Sequence, residues 1–401
     1  MVDVTFPKSL SSALPSEPMD GLPTVLQVIP NLETGGAERG TLDVAAGLRA
    51  RGVRAVVTSA GGRMVRELER TGAEHVTLPM ASKNPFVIRR NIGRLVELAT
   101  ARQAGLIHVR SRAPAWSARS AARQLGLPFV TTFHAPYNAG SALKRAYNGI
   151  MAAGDRIIAI SEFVADHIAR QYPDASERIV TIPRGIDARR FDPAAVSKDR
   201  MIKLARDWML PDGAHVVMLP GRLTRWKGQA VLIEAMARLG RSDVVCLMVG
   251  DDQGRHAYHA ELVALARARG LEGVIRLVGD CSDMPAAYAL ANVVVSASTD
   301  PEGFGRVPVE AQAMGRPVVA TNHGGARETV LQGQTGWLVP PGNAEALAGA
   351  LATTLDLDLA ARARLAEIGR QHVLDTYTVD LMIARTLALY ADLAGARHGR
   401  G

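Results

Sequence analysis

The chain has 401 residues, 47% of them hydrophobic and 21% charged, with a formal net charge of +8. This is ordinary globular composition, and the length is more than one core usually serves, so two domains are expected. Aromatic residues are only 4% of the chain, which argues against a stacking platform for single-stranded nucleic acid. No apolar run approaches the ~18 residues needed to span a bilayer.

Residues 1–21 carry Pro15, Pro18, serines and acids. They read as a flexible tail without a secretory pattern, so a cytoplasmic protein is expected. Short apolar runs then alternate with helix-period stretches. The first series is Thr24–Pro30, Ala55–Thr58, His75–Leu78, Leu106–Val109, Phe129–Phe133, Arg156–Ile160 and Ile179–Ile182. The second is His215–Leu219, Val244–Val249, Val274–Val278, Asn292–Val295, Pro317–Ala320 and Trp337–Val339. Apolar strands separated by amphipathic helices predict parallel sheets covered on both faces. Between the two series, 191–210 is charged and contains Pro193, which reads as a linker. The expected organisation is an α/β chain of two doubly wound, Rossmann-like domains, 22–190 and 211–375, facing across a cleft. A helix over 376–395 packs back on the first domain, and 396–401 is a tail.

Cys246 and Cys281 lie in or beside apolar runs without metal-ligand spacing, so buried reduced thiols are expected. Between Val76 and Ile150 the basic residues are many, including Lys83, Arg89, Arg90, Arg94, Arg119 and Arg123, and Glu97 is the one acid. A one-sided basic field favours an anionic partner, and an anionic membrane surface is the one expected. With few aromatic residues there, nucleic acid is not.

Ligands of doubly wound sheets bind beyond the carboxyl ends of the strands, so the strand-end loops matter most. After the first strand, Gly35 and Gly36 form a turn that lets backbone approach a ligand and aims a helix at it. It is not Gly-x-Gly-x-x-Gly, which disfavours a dinucleotide. His134 ends the run Phe129–Phe133, whereas His75, His108 and His323 read as ordinary strand-edge residues. Arg222 and Lys227 flank the loop after the first strand of the second series, and Lys227 is the sole lysine after Lys203. Two cations at a strand end can neutralise a diphosphate. Asp251-Asp252 reads as a turn. In Asp300-Pro-Glu-Gly-Phe-Gly-Arg-Val-Pro-Val-Glu310 two carboxylates, Glu302 and Glu310, stand eight positions apart across a helix start. Such a loop offers unpaired N–H groups to a phosphate, and its carboxylates accept from sugar or ribose hydroxyls. The two acids read equally as an acid–base pair or as hydroxyl ligands.

Together these motifs resemble the family-4 glycosyltransferases, retaining enzymes of the GT-B type. The resemblance runs from about Thr24 to Tyr390. It rests on Gly35-Gly36-Ala-Glu-Arg39, Asp155–Ser161, Ile182-Pro-Arg-Gly-Ile-Asp187, Gly221-Arg222 to Lys227-Gly228, Glu302 to Glu310, Gly324-Gly325 and Gly336–Pro340. By position it implies that Arg222 and Lys227 bind a donor diphosphate and that Glu302 holds the transferred sugar. Gly303, Phe304 and Gly305 line the donor loop, Glu310 takes the ribose, and Gly35 and Gly36 approach the diphosphate. Asp280, Cys281 and Met284 would lie by the base, and Glu302, His134, Arg222 and Lys227 would form the catalytic set. The resemblance implies no cofactor and no metal, only a UDP- or GDP-linked sugar, passed as a hexose to a glycan or lipid-linked acceptor. Gly305–Met314 is similar to bacterial lipopolysaccharide-core and surface-glycan transferases. The competing readings are a sugar-nucleotide epimerase and a non-catalytic nucleotide-sugar or lipid-binding protein.

Overall fold

A computed structural model of the chain describes residues 22–138 and 140–398, with side chains up to 395. The tails expected at 1–21 and 396–401 lie outside this description, apart from helical backbone at 396–398. The described residues form two compact units, one within 22–185 with 379–398, the other 186–378.

The first unit alternates strands and helices: β1 (Thr24–Val28), α1 (Gly36–Ala50), β2 (Ala55–Ser59), α2 (Val65–Arg70), β3 (Glu74–Thr77), α3 (Pro85–Ala101), β4 (Ala104–Val109) and α4 (Arg112–Leu125). It continues with β5 (Phe129–Phe133), α5 (Ala142–Asn148), β6 (Arg156–Ala159), α6 (Glu162–Gln171) and β7 (Ile179–Thr181). The seven strands are parallel in the order β3-β2-β1-β4-β5-β6-β7. Every residue of β2 and β5 is buried, as expected for strands covered on both faces. The order reverses between β1 and β4, which places a crevice at their carboxyl ends.

The second unit begins with α7 (Lys198–Asp207), β8 (His215–Pro220), α8 (Gln229–Leu239), β9 (Val244–Val249), α9 (His256–Ala268), β10 (Ile275–Gly279) and α10 (Met284–Leu290). There follow β11 (Val293–Ser296), α11 (Arg306–Ala313), β12 (Val318–Thr321), α12 (Ala326–Thr329), β13 (Gly336–Val339), α13 (Ala344–Leu355) and α14 (Leu359–Thr376). Six parallel strands run β10-β9-β8-β11-β12-β13, and the switch point lies between β8 and β11. One core, built on Val217, Leu232, Cys246, Val295 and Leu351, holds this unit together.

The stretch 191–210 is not a linker. It is a short 3-10 turn and α7, and both belong to the second unit. Ser197 caps α7 through Arg200 N. Arg200 forks onto Asp283 at 2.8 and 2.6 Å, so one of the charges that suggested solvent ties this helix to the unit.

The last helix, α15 (Val379–His398), belongs to the first unit. Gly47 of α1 lets it approach, since a Cβ there would stand 2.4 Å from Ile383 Cγ2. Tyr390 is fully buried, and its hydroxyl meets His108 Nδ1 at 2.6 Å, while His108 Nε2 meets Thr132 Oγ1 at 2.7 Å. His108 is therefore no strand-edge residue, because β4 is an inner strand. Cys246 is buried, and burial pushes its thiol up to about 12. Cys281 is only half-buried, contrary to expectation, because it lies past the end of the sheet-edge strand β10.

Candidate donor and acceptor sites

In the second unit the loops after β8 and β11 meet. Gly228 makes this approach feasible, for a Cβ there would fall 1.9 Å from Ala297 O. Its φ of 76° is also one that suits glycine. Thr299 N donates to Trp226 O at 2.7 Å. Lys227 Nζ then reaches Glu302 Oε1 at 2.8 Å, and both side chains are largely buried, at 13% and 20% exposed. Ser298 Oγ donates to the same carboxylate oxygen at 2.5 Å. Lys227 also lies 4.6 Å from the Trp226 ring centroid. The other partner expected of it stands apart, because Arg222 is exposed and meets only Gln253 Oε1, at 3.5 Å.

The loop after β12 braces the loop after β11. Gly325 N donates to Glu302 O at 2.9 Å. A Cβ on Gly324 or Gly325 would lie 2.4 Å from Glu302 O or Phe304 O respectively. The Phe304 ring is buried and packs edge-on against Tyr377, with centroids 5.6 Å apart, which leaves only its backbone facing the loop. Gly305 adopts φ 80° and starts α11 without a side-chain cap. The first N–H groups of that eight-residue helix thus have no side-chain cap. Glu310 follows one turn later at 7% exposed. Its Oε2 accepts from Tyr288 Oη at 2.8 Å and its Oε1 from Arg306 Nη2 at 2.7 Å. Burial beside Glu310 pushes the Tyr288 phenol well above its ordinary range. Arg306 is an i,i+4 partner that helix spacing offers, whereas Tyr288 was invisible in the sequence, since only the fold brings it onto α11.

Asp280, Cys281 and Met284 follow β10, with Asp280 exposed and the other two half-buried. Asp251 and Asp252 are turn acceptors, for Gln253 N and Gly254 N. Asp356 and Asp358 stand two apart, a spacing at which carboxylates share a metal, but one pairs with Arg241 and the other caps α14. Among the described residues no group of three His, Cys, Asp or Glu side chains could hold a metal.

In the first unit, Gly35 and Gly36 sit after β1, with α1 starting at Gly36. His134 directly follows β5, and its Nδ1 meets Arg184 Nη2 at 2.7 Å. Its Nε2 is buried and has no hydrogen-bond partner. Burial, then the nearby Arg184 and Arg110, hold the His134 imidazole well below its ordinary range, so it is neutral. Gly36 lies under Arg184, since a Cβ there would stand 1.6 Å from Arg184 Nη1. In the sequence Arg184 stands out only as part of a motif, and Arg110 does not stand out among the basic residues of 76–150.

On α3, Phe86 is 78% exposed, and Arg89, Arg90 and Arg94 are exposed. Leu95 is fully buried, and Ile88, Ile92 and Val96 are half-buried. The stripe is used by the packing of the unit, as a covering helix requires. No helix among the described residues is long and apolar enough to cross a membrane.

This double βα architecture, with a switch point in each parallel sheet, is that of the GT-B glycosyltransferases. Residues 34–190 match the family description Glycosyltransferase Family 4, and residues 202–372 match Glycosyl transferases group 1. A solved glycosyltransferase from Rickettsia africae is 36% identical, with a TM-score of 0.88 over 92% of this chain and 98% of that one. The chain belongs to the family-4 glycosyltransferases. HepE from Anabaena, solved with UDP, is 25% identical, with a TM-score of 0.82 over 92% of this chain and 100% of that one. The D-inositol 3-phosphate glycosyltransferase of Salinispora arenicola is 31% identical over 62% of this chain and 57% of its own length. The chain thus spans about half the length of the curated relatives it matches.

Proposed function

We propose that this protein transfers a hexose from a nucleoside-diphosphate sugar to a hydroxyl of a glycan or lipid-linked acceptor, with retention at the anomeric carbon. The observation that carries this reading is the Lys227–Glu302 pair beside the uncapped start of α11. The helix start and Lys227 suit a diphosphate, and Arg222 adds a second cation at the mouth of the same loop. Glu302 suits sugar hydroxyls, and Glu310, held by Tyr288 and Arg306, keeps spare lone pairs for a ribose. A UDP donor is favoured because HepE, at 26% identity, was solved with UDP-glucose.

Glu302 is already engaged by a cation and a hydroxyl, which makes it a poor nucleophile. A same-face substitution fits better. The bond from the anomeric carbon to the leaving phosphate oxygen breaks as the acceptor oxygen bonds on that face, and the acceptor proton passes to the leaving phosphate. Lys227, Arg222 and the helix start stabilise the charge that builds on the diphosphate. In this reading cationic side chains take the place of a divalent metal, so a chelator leaves turnover intact. The family resemblance assigns His134 to the transferred sugar, and Asp280, Cys281 and Met284 to the base.

For the acceptor, a bacterial lipopolysaccharide core or related surface glycan is the reading favoured by the Gly305–Met314 motif. The basic, exposed face of α3 would bring the enzyme to the inner surface of an anionic membrane. The test is incubation of purified protein with UDP- and GDP-hexoses. Donor-dependent stabilisation and an α-linked product from an α-linked donor are the expected results. Interconversion of donor sugars without any acceptor would favour an epimerase, and binding without turnover on any acceptor would favour a non-catalytic module.

A further inference from the structure

Lys227 is not the sole side chain that holds Glu302. Ser298, four positions before it and 2% exposed, donates its hydroxyl to the same oxygen, Oε1, at 2.5 Å. Among the described residues both donors reach Oε1, so Oε2 is the oxygen left to a ligand. Two donors on one oxygen fix the tilt of the carboxylate plane, and with it the direction in which Oε2 points.

Ser298 is aimed by its own peptide. Its carbonyl accepts from Thr321 Oγ1 at 2.9 Å and from His323 Nε2 at 2.7 Å. The N–H of the same peptide unit, on Thr299, donates to Trp226 O at 2.7 Å. Three bonds from two neighbouring loops therefore fix this peptide plane, and both lone pairs of its oxygen are used. A hydroxyl on a fixed backbone has three staggered positions, and the one adopted meets Glu302.

The sequence offers His323 as an ordinary strand-edge residue, yet β12 is an inner strand between β11 and β13. Its Nε2 is the donor in this contact, because a carbonyl oxygen only accepts. Gly324 follows at φ 59°, a turn that suits glycine. The turn brings the chain against the backbone of Glu302, where a Cβ on Gly324 would stand 2.4 Å from Glu302 O. One short loop thus meets Glu302 twice, by its backbone at Gly324 and Gly325, and through Ser298 by the side chain of His323.

We infer that Ser298 is a positioning residue for Glu302 and that His323 acts through Ser298, so that the loop after β12 sets how the Glu302 carboxylate faces the donor sugar. The inference rests on the glycosyltransferase reading, in which Glu302 holds sugar hydroxyls. It goes beyond that reading by giving the aim of Glu302 to two residues outside the stretch Asp300–Glu310. Without the Ser298 hydroxyl, Glu302 keeps Lys227, a point charge that tolerates many carboxylate tilts. Aim is then lost while the charge of the site is unchanged.

The experiment uses the full chain, with kinetics on a UDP-hexose that the parent turns over and calorimetry with UDP. Ser298→Ala is expected to lower kcat at least about tenfold, with UDP affinity within about twofold and the donor KM within about threefold of the parent. His323→Leu, which removes the donor to Ser298 O, should lower kcat by about three- to tenfold. His323→Gln, which offers an amide N–H at similar reach, should recover most of that loss. The double variant Ser298→Ala with His323→Leu should be no slower than Ser298→Ala alone, because His323 then has nothing left to aim. The two His323 variants carry the test if Ser298→Ala fails to fold. An unchanged kcat in Ser298→Ala would overturn the positioning role. Losses of kcat and UDP affinity in step would make both residues supports of the loop alone and overturn it as well. Losses that multiply in the double variant would give His323 a role of its own and overturn the relay. In each of these outcomes the parent still turns over its donor and the glycosyltransferase reading stands, whereas a parent that turns over no UDP- or GDP-hexose sinks that reading and this inference together.

Discussion

Lys227 and Glu302 lie 75 positions apart in the sequence and 2.8 Å apart in the fold. Each is the nearest opposite charge to the other at a place where both are mostly out of water. The pair holds Lys227 over the loop when no diphosphate is present, and it fixes one oxygen of Glu302. Lys227→Ala should therefore weaken UDP by ~1.5–3 kcal/mol, the range for a lost charged hydrogen bond. Glu302→Gln should leave free UDP affinity near the parent or slightly above, because it releases Lys227, while turnover collapses. Calorimetry with UDP and a product assay separate the two. An equal loss of UDP affinity in both variants would count against the division of roles.

Glu310 depends on Tyr288. The phenol is fully buried, and it donates to a carboxylate that is 7% exposed. Tyr288→Phe leaves Glu310 Oε2 without that donor, which should cost ~1–3 kcal/mol of stability. It should also raise the Kd for UDP, since Glu310 loses its aim. Urea midpoints and UDP titration read these. Unchanged UDP affinity with a lowered midpoint would make Tyr288 a stabilising residue alone.

Gly325 is a packing constraint on the donor loop. Its φ of −66° is open to any residue, so space rather than backbone strain decides. A Cβ there would meet Phe304 O at 2.4 Å and Phe304 Cα at 2.6 Å. Gly325→Ala should push the Glu302–Phe304 segment away, weakening UDP at least tenfold with the circular dichroism retained. A variant that binds UDP like the parent would show that the loop gives way without consequence.

The thirteen strands were legible because each is a short apolar run between helix-period segments, and their number and order in the chain match what the sequence implies. The glycines were legible as turns, but what each one touches was not. Gly36 reads as a phosphate turn, and only the fold shows Arg184 lying across it. Long-range polar pairs were beyond reach for the same reason. Arg110 on Gln27, His108 on Tyr390 and Tyr288 on Glu310 join residues 83, 282 and 22 positions apart. Proline and charge at 191–210 read as solvent signals, yet Arg200 among those charges pairs with Asp283 and ties α7 to the second unit.

His108 sets a pH dependence. It is wholly buried, and burial holds its imidazole well below the ordinary range. The unfolded chain takes up this proton near pH ~6.5 and the folded chain does not. The unfolded state therefore binds more protons below that pH, and stability falls as pH falls through ~6.5 toward the folded value. The stabilisation is fully present above the unfolded value. The limiting slope for one such group is ~1.4 kcal/mol per pH unit. His134, shifted the same way, adds to it. Urea midpoints between pH 7 and pH 5 should fall less steeply in His108→Gln than in the parent, by up to the share of one proton. Parallel slopes would show that His108 gains its proton without unfolding.

The basic face of α3 makes the membrane reading testable. Asn84 caps the helix through Phe86 N at 2.9 Å, with Pro85 at its start. This cap fixes the exposed Phe86 at one end of a surface that also carries Arg89, Arg90 and Arg94. Leu95, Leu98 and Ala99 are buried within the unit, so the apolar contribution to membrane contact rests on Phe86 and its immediate neighbours, and charge must supply most of the attraction. Each basic residue near an anionic surface contributes ~1 kcal/mol, weakened by salt. Co-sedimentation with vesicles should then require anionic lipid and decline as salt rises from low to physiological strength. It should fall by one to two orders of magnitude when Arg89, Arg90 and Arg94 become Glu, and by less for Phe86→Ala. UDP affinity should be untouched in all of these variants, because the donor loop belongs to the other unit. Equal binding to neutral and anionic vesicles, or to neither, would remove electrostatic docking and leave an acceptor that comes to the enzyme through solution.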